Sequence, residues 1–268
     1  MKVFSYSLQG KREANEDQHL HVININGENS ELNPINFFAV FDGHGGKAVS
    51  KYLRDNLPPF FLTKFKKNIY NKSETAIKYY NKVYNIIQNN LKEKHPRATQ
   101  YCGSTACVCV QFKDEKNKDR LWLLNVGDSR AIKCNKSNIA EQLTIDHKPN
   151  NPDEKKRIEK LGGKIEFDGV DWRVKDLSLS RAFGDLECTP YVTHLPHVYK
   201  HNLNVTDKFL VVACDGLYDV LSNQNITDFV NKLSEDKNYK GNYAKDLAEF
   251  AFKKGSLDNI SVIVYFFK

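Results

Sequence analysis

Phe37-Phe38-Ala39-Val40-Phe41-Asp42-Gly43-His44-Gly45-Gly46 is an unbroken apolar run that stops at a carboxylate and gives way to a glycine-rich turn. Five apolar residues, mostly of strong strand propensity, predict a buried strand. Asp42-Gly43 predicts its exit turn. The following glycines have no Cβ, so other groups can approach this backbone closely. An acid, a carbonyl and an imidazole therefore crowd the mouth of a rigid element, where a reactive site is best placed. Taken alone, the stretch is equally compatible with a strand-to-helix turn that carries an incidental histidine. The rest of the chain decides between the two.

On the N-terminal side, Val3 to Leu8 and His19 to Ile25 read as strands, separated by a charged segment that contains Arg12, Glu16 and Asp17. On the C-terminal side, Gly45 to about Phe65 reads as a helix interrupted at Pro58-Pro59. Ser73 is placed to cap a second long helix, with Ile77, Tyr80, Tyr84, Ile87 and Leu91 on its apolar face. Cys102 to Phe112 and Arg120 to Val126 form a predicted antiparallel hairpin, and a short strand ends at Cys134. Residues 146–172 are polar, hold a short helix (Pro152 to Lys160) and look like an excursion from the core. Phe209 to Ala213 is another buried strand, helices follow at Gln224 to Leu233 and Tyr243 to Lys253, and Ile260 to Phe267 is the last strand. Without repeats or linkers, this pattern predicts one domain over residues 1–268, of α+β class, with antiparallel strands and separate pairs of helices.

The 268 residues are ample for a core, and 40% hydrophobic with 27% charged residues is an ordinary soluble balance. No apolar run approaches the length that spans a bilayer, and the N-terminus lacks the apolar region of a signal peptide. Lys2 stands where N-myristoylation needs glycine. No membrane partner is expected. The net charge of +7 raises the question of nucleic acid, but lysine and arginine are spread widely and mixed with acids. The clusters Lys64 to Lys67 and Lys155 to Arg157 read as solvated helix faces, so nucleic acid is not expected as a partner. Six cysteines without a C-x-x-C pair offer no zinc site and fit a reducing compartment, cytoplasmic or nuclear. Cys107 and Cys109 alternate in an apolar strand as small core residues.

Carboxylates gather at strand ends. Asp42 and Asp215 each close an apolar strand and precede glycine, while Glu16-Asp17 and Asp258 sit just before strands, and Asp128 follows another. If these strands are antiparallel neighbours, the acids share one edge of a sheet. Carboxylates at close quarters repel one another unless a cation neutralises them. With no cysteine or histidine set beside them the ligands are hard oxygens, which selects Mg²⁺ or Mn²⁺.

The chain resembles the metal-dependent serine/threonine protein phosphatases of type 2C. The family's motifs occur in order: Arg12 with Glu16-Asp17; Phe41-Asp42-Gly43-His44-Gly45-Gly46; Gly103-Ser104-Thr105-Ala106; Asn125-Val126-Gly127-Asp128-Ser129-Arg130; Asp146-His147-Lys148-Pro149 with Glu154 and Arg157-Ile158; Ser180-Arg181-Ala182-Phe183-Gly184-Asp185; Asp215-Gly216-Leu217-Tyr218-Asp219-Val220; and Asp258-Asn259. The resemblance implies a central sandwich of two antiparallel sheets flanked by helix pairs, with 146–172 as a flap beside the site. It implies that Asp42 bridges two cations, that Asp215 and Asp258 complete one, and that Glu16 and the Gly43 carbonyl serve the other. Asp17 then supports the cluster from behind, and Asp128 with Asp215 and Asp219 holds a third, weaker ion.

It also implies hydrolysis of phosphoserine and phosphothreonine proteins by a water that the two cations activate, without a covalent phosphoenzyme. Arg12 is expected to hold phosphate oxygens with its planar fork, His44 to protonate the departing alkoxide, and Thr105 to support the site by hydrogen bonding. The protein is expected to act as a monomer. One segment departs from the family pattern: Arg173-Val174-Lys175-Asp176 is one residue short and lacks the family's glycine, which leaves open how the strand beside the flap is routed. A partner-binding pseudophosphatase would be expected to lose metal ligands, and none of Glu16, Asp42, Asp215 and Asp258 is lost. A hydrolase of small phosphoesters on the same fold is the other alternative.

Overall fold

A computed structural model describes residues 2–27, 34–64, 73–114 and 116–267. In chain order its first elements are β1 (Lys2–Leu8), β2 (Gln18–Val22), β3 (Asn36–Phe41), the two-residue β4 (Gly43–His44), α1 (Ala48–Lys64), α2 (Ser73–Lys94) and α3 (Pro96–Tyr101). They are followed by β5 (Gly103–Ser104), β6 (Ala106–Lys113), β7 (Asp119–Val126), β8 (Arg130–Asn135), β9 (Ala140–Gln142), α4 (Pro152–Lys160), β10 (Ile165–Phe167), β11 (Trp172–Val174) and β12 (Phe183–Gly184). The chain closes with β13 (His197–Asn202), β14 (Asp207–Ala213), α5 (Asp215–Tyr218), α6 (Asn223–Glu235), α7 (Tyr243–Lys253) and β15 (Ile260–Phe266).

Two five-stranded antiparallel sheets form the centre. One runs β1-β15-β14-β8-β9 and the other β13-β7-β6-β3-β2. Strand β3 shows why they stack. Phe38 and Val40 point between the sheets with Cys107 and Cys109, and meet Leu210, Val212, Ile263 and Tyr265 of the opposite sheet. Phe37, Ala39 and Phe41 point the other way, onto Leu53 and Leu57 of α1 and Tyr80, Tyr84 and Ile87 of α2. All five apolar residues of the Phe37 to Phe41 run are fully buried, and each large side chain contributes about 1.5–3 kcal/mol. The outer face of the first sheet is covered in the same way by Ile226 and Val230 of α6 and Leu247 and Ala251 of α7. The order helices, sheet, sheet, helices is the α+β sandwich that the resemblance implied.

The structure refines several readings. Helix α1 continues through Pro58 and Pro59, held on both sides of them by buried Leu57 and Phe61. Ile77 of α2 faces outward, and Ala76 and Val83 complete the buried stripe. The strand expected from Cys102 to Phe112 breaks at Thr105 into β5 and β6. Strand β13, absent from the sequence reading, pairs with β7 as an edge. Arg157 is not a solvated charge: it bonds Glu154 at 2.9 Å and the Ser180 carbonyl. The end of the first helix at Phe65, the lysines at 66 and 67, and the Ser73 side chain with its expected cap lie outside the described residues, as does most of the polar turn after Asn26.

The excursion folds as α4 followed by the β10–β11 hairpin, with its own small core of Ile158, Val174, Leu179, Ala182 and Val192. The shortened segment closes as a tight turn. Val174 and Leu177 exchange backbone hydrogen bonds at 3.0 and 3.2 Å, and Lys175 takes the left-handed conformation at φ +54°.

Candidate active site

The acids do not share one edge of one sheet. Asp42 follows β3 and Glu16-Asp17 precede β2, neighbours in one sheet, whereas Asp215 follows β14 and Asp258 precedes β15, neighbours in the other. The stacked sheets present these ends on the same side of the sandwich. There they open into a cleft of about 810 Å³ lined by Arg12, Glu16, Asp42, Gly43, His44, Asp128, Asp215, Asp219 and Asp258. Asp171 of the flap, with Arg173 and Leu177 to Leu179 just beyond it, forms its far wall, so the shortened segment borders the site.

Two predicted residues stand behind the cleft. Asp17 is buried, and its carboxylate comes within 4.8 Å of ligand atoms of Asp42 and Cys214. Thr105 frames the Asp42 peptide from both sides: its Oγ1 accepts from the Asp42 N–H at 3.0 Å and its own N–H donates to the Asp42 carbonyl at 2.8 Å. This explains the break between β5 and β6. Gly43 is required by close approach, since a Cβ there would lie 2.4 Å from the Glu16 carbonyl oxygen. Ser50 Oγ of α1 donates to the same Glu16 carbonyl.

The charges are out of balance. Burial, then the charges of Asp17 and Asp215, pushes the Asp42 carboxyl well above its ordinary range. Asp215 is pushed up by burial and by Asp128 and Asp219. Burial raises Asp17 to about 6, with the neighbouring Ser261 and Cys214 opposing the shift. One Asp17 oxygen, Oδ2, is buried with no hydrogen-bond partner among the described residues. The thiol of Cys214 is occupied: it donates to the Asn259 carbonyl and accepts from the Ser261 N–H. The remaining donors are carboxylate and carbonyl oxygens, a set that fits hard divalent cations such as Mg²⁺ or Mn²⁺.

Three basic groups answer part of this charge. Arg12 Nη2 donates to Asp258 Oδ2 at 2.7 Å, and the contact raises the guanidinium further. Lys148 Nζ bonds Asp128 Oδ2 at 2.5 Å, so the carboxylate expected to serve a third ion is held by an ammonium. His44 Nε2 lies 2.7 Å from Asp185 Oδ2. Burial pulls the His44 imidazole down, but the hydrogen bond and charge of Asp185 outweigh it and leave the group raised.

Lys148, Asp185 and Asn259 were not singled out from the sequence, although each lies in a quoted motif. Asn259 ties the Arg12–Glu16 loop to the start of β15. Its Nδ2 donates to the Gln9 and Ala14 carbonyls at 2.7 and 3.0 Å, and its Oδ1 accepts from the Glu16 N–H at 2.9 Å. The available signal was a polar residue of a motif with no task assigned.

Comparison with known proteins agrees with this geometry. A sequence model described as protein phosphatase 2C matches residues 1–260. A rice (Oryza sativa subsp. japonica) protein named probable protein phosphatase 2C member 13, mitochondrial, is 36% identical over 266 residues, covering 96% of this chain and 66% of the relative. Protein phosphatase 2C homolog 2 of Schizosaccharomyces pombe is 36% identical over 236 residues, 84% of this chain and 60% of its own length. A solved structure described as a C. elegans sex determining protein superposes with a TM-score of 0.86 at 28% identity, over 100% of this chain and 65% of that one. The chain thus spans roughly two thirds of the length of each of these three relatives. With the motifs, the sandwich and the acidic cleft in agreement, the chain belongs to the protein phosphatase 2C family.

Proposed function

We propose that the protein is a serine/threonine protein phosphatase that hydrolyses phosphoserine and phosphothreonine in other proteins, with residues 1–268 acting as one catalytic domain. The observation that carries this reading is the convergence of Asp42, Asp215, Asp258, Glu16, Arg12 and His44 on one cleft from four separate stretches of the chain.

Asp42, Asp215, Asp258, Glu16 and the Gly43 carbonyl would hold two Mg²⁺ or Mn²⁺ ions, with Asp17 behind them. Bound there, such ions acidify water, supply the attacking nucleophile and leave no need for a phosphoenzyme. Asp128 and Asp219 would take a third, weaker ion only in competition with Lys148.

The chain's own residues do the rest. Arg12 stands at the cleft rim, where its planar fork can take phosphate oxygens while one nitrogen stays on Asp258. That bond fixes the fork relative to the acids, so phosphate is received in one orientation. A serine or threonine alkoxide is a poor leaving group and needs a proton. His44, beside the acids and raised by Asp185, is the donor available at the cleft wall.

The test is phosphate release from a phosphothreonine peptide with Mn²⁺ or Mg²⁺, with and without chelator, beside Asp42→Ala and Asp215→Ala. Turnover that chelator and both substitutions abolish is expected. Purified protein that releases no phosphate with any divalent ion, yet still binds the phosphopeptide, would establish a pseudophosphatase instead.

A further inference from the structure

We infer that Asp185 is the positioning residue for His44, and that Gln88 of helix α2 fixes Asp185 in turn. The inference rests on the reading of His44 as proton donor and adds the apparatus that aims it.

The geometry comes from a three-stranded sheet, β12-β5-β4, separate from the main sandwich. Across it His44 pairs with Gly103, and Gly103 pairs with Gly184. The central position has no side chain. A Cβ on Gly103 would lie 2.1 Å from Asp185 Oδ2 and 2.4 Å from His44 Nε2. The glycine therefore leaves the space in which carboxylate and imidazole meet at 2.7 Å. Asp185 reaches this space because its backbone is left-handed, φ +48° and ψ +44°, a conformation that is sterically disfavoured for a non-glycine residue.

The backbone before it is held from both sides. Gln88 Oε1 accepts from the Gly184 N–H at 2.9 Å and Gln88 Nε2 donates to the Gly184 carbonyl at 3.1 Å. Gln88 is buried and sits among Tyr84, Ile87 and Leu91, which pack into the core. The Asp185 N–H adds a bond to the Cys102 carbonyl at 3.1 Å. The Asp185 side chain is 3% exposed against 27% for His44, so the carboxylate lies behind the imidazole and not in its path to solvent.

A buried carboxylate in a strained backbone, clamped by a buried amide and aimed at one ring nitrogen, has the arrangement that fixes a histidine's tautomer. With Nε2 committed to Asp185, Nδ1 is the nitrogen left to exchange a proton with the leaving oxygen. A purely structural link between β12 and β4 would hold the small sheet together without regard to the leaving group.

The test compares a phosphothreonine peptide with p-nitrophenyl phosphate, whose leaving group needs little protonation, on the Mn²⁺-loaded enzyme. His44→Ala is expected to lose roughly 100-fold or more in kcat on the peptide and far less on the aryl ester. Asp185→Asn is expected to show the same selectivity at about 10- to 100-fold, with KM and Mn²⁺ affinity unchanged, and Gln88→Met a weaker version of it. Equal losses on both substrates for His44→Ala would overturn the proton-donor reading, and the present inference with it. A selective loss for His44→Ala with an unselective or absent one for Asp185→Asn would overturn the inference alone. Should Asp185→Asn not fold, the ¹⁵N spectrum of His44 in the Mg²⁺-loaded wild type decides, taken to a pH at which the imidazolium has given up one proton: a remaining proton on Nε2 supports the inference, and one on Nδ1 overturns it.

Discussion

Lys148 Nζ lies 2.5 Å from Oδ2 of Asp128, at the foot of the acidic cleft. Burial lowers the ammonium's proton affinity, but Asp128 and Asp215 outweigh it and leave Lys148 raised. The lysine is thus a resident cation at the position where the family resemblance puts a third metal ion. Removing it leaves a buried carboxylate uncompensated, a change that costs about 3–5 kcal/mol in full burial and less here, because the Lys148 side chain is one-third exposed. Lys148→Met is therefore expected to lower Tm in chelator and to recover more of the loss from Mn²⁺ than the wild type gains. Thermal melts of both proteins over a Mn²⁺ series check this, and equal gains would show that lysine and ion do not compete.

Arg12 sits 61% exposed at the rim, with one nitrogen on Asp258. A charge-assisted bond to phosphate lost from such a group is worth roughly 1.5–3 kcal/mol, or about 10- to 150-fold in kcat/KM. Arg12→Ala is expected to show that loss on a phosphopeptide. Arg12→Lys is expected to recover only part of it, since an ammonium cannot supply the planar fork. Steady-state kinetics of the two variants, with cation saturating, read the effect directly.

The turn at Lys175 shows how a sequence departure is absorbed. Where the family's glycine is missing, the backbone still bends, and Lys175 takes the left-handed conformation. That costs a β-carbon-bearing residue roughly 1–2 kcal/mol, against the 0.5–1 kcal/mol of extra chain entropy that glycine loses on folding. Lys175→Gly is expected to be neutral to stabilising, by up to about 1 kcal/mol. Urea titration checks the sign, and a destabilisation above 1 kcal/mol would show that the Lys175 ammonium over the Tyr191 ring, 5.9 Å from its centroid, matters more than the backbone.

The run from Phe37 to Phe41 was legible because burial on both faces demands continuous apolar residues, and the acids were legible because each ends or begins such a run. Strand β13 was not, because an edge strand needs little burial: His197-Val198-Tyr199-Lys200-His201-Asn202 is half-exposed and shows no apolar alternation. The partition of the acids between two sheets was hidden for another reason. Strand ends fix which residues reach the rim, but sheet order fixes which rim, and it arises from pairings as distant as Lys2 with Phe266. The partners of His44 and Asp128, and Arg181 as a partner of Glu154, were hidden in the same way, since each of these bonds joins segments that local patterning does not relate.

Glu154 shows what such a bond contributes. It is 3% exposed on α4, and its oxygens take Arg181 at Oε1 and Arg157 at Oε2, with Ser180 Oγ also donating to Oε2 at 2.8 Å. Burial alone would raise the carboxyl, but Arg181 and then Arg157 outweigh it and hold it at about 2, against an ordinary 4.5. Because the folded value is the lower one, the unfolded chain binds the extra proton between the two. The contribution is therefore fully present above pH 4.5 and is lost as pH falls toward 2. Its size is on the order of 3 kcal/mol at neutral pH, at about 1.4 kcal/mol for each unit of pKa difference. Glu154→Gln removes the titrating group and leaves two arginines without their carboxylate. The stability difference between wild type and Glu154→Gln is expected to be constant from pH 7 down to about 5 and to shrink below it. Denaturant unfolding of both proteins at a series of pH values from 7 to 3, in chelator, measures that difference. A gap that stays constant to pH 3 would mean that the ion pairs, and the flap base they hold together, contribute nothing that depends on the Glu154 charge.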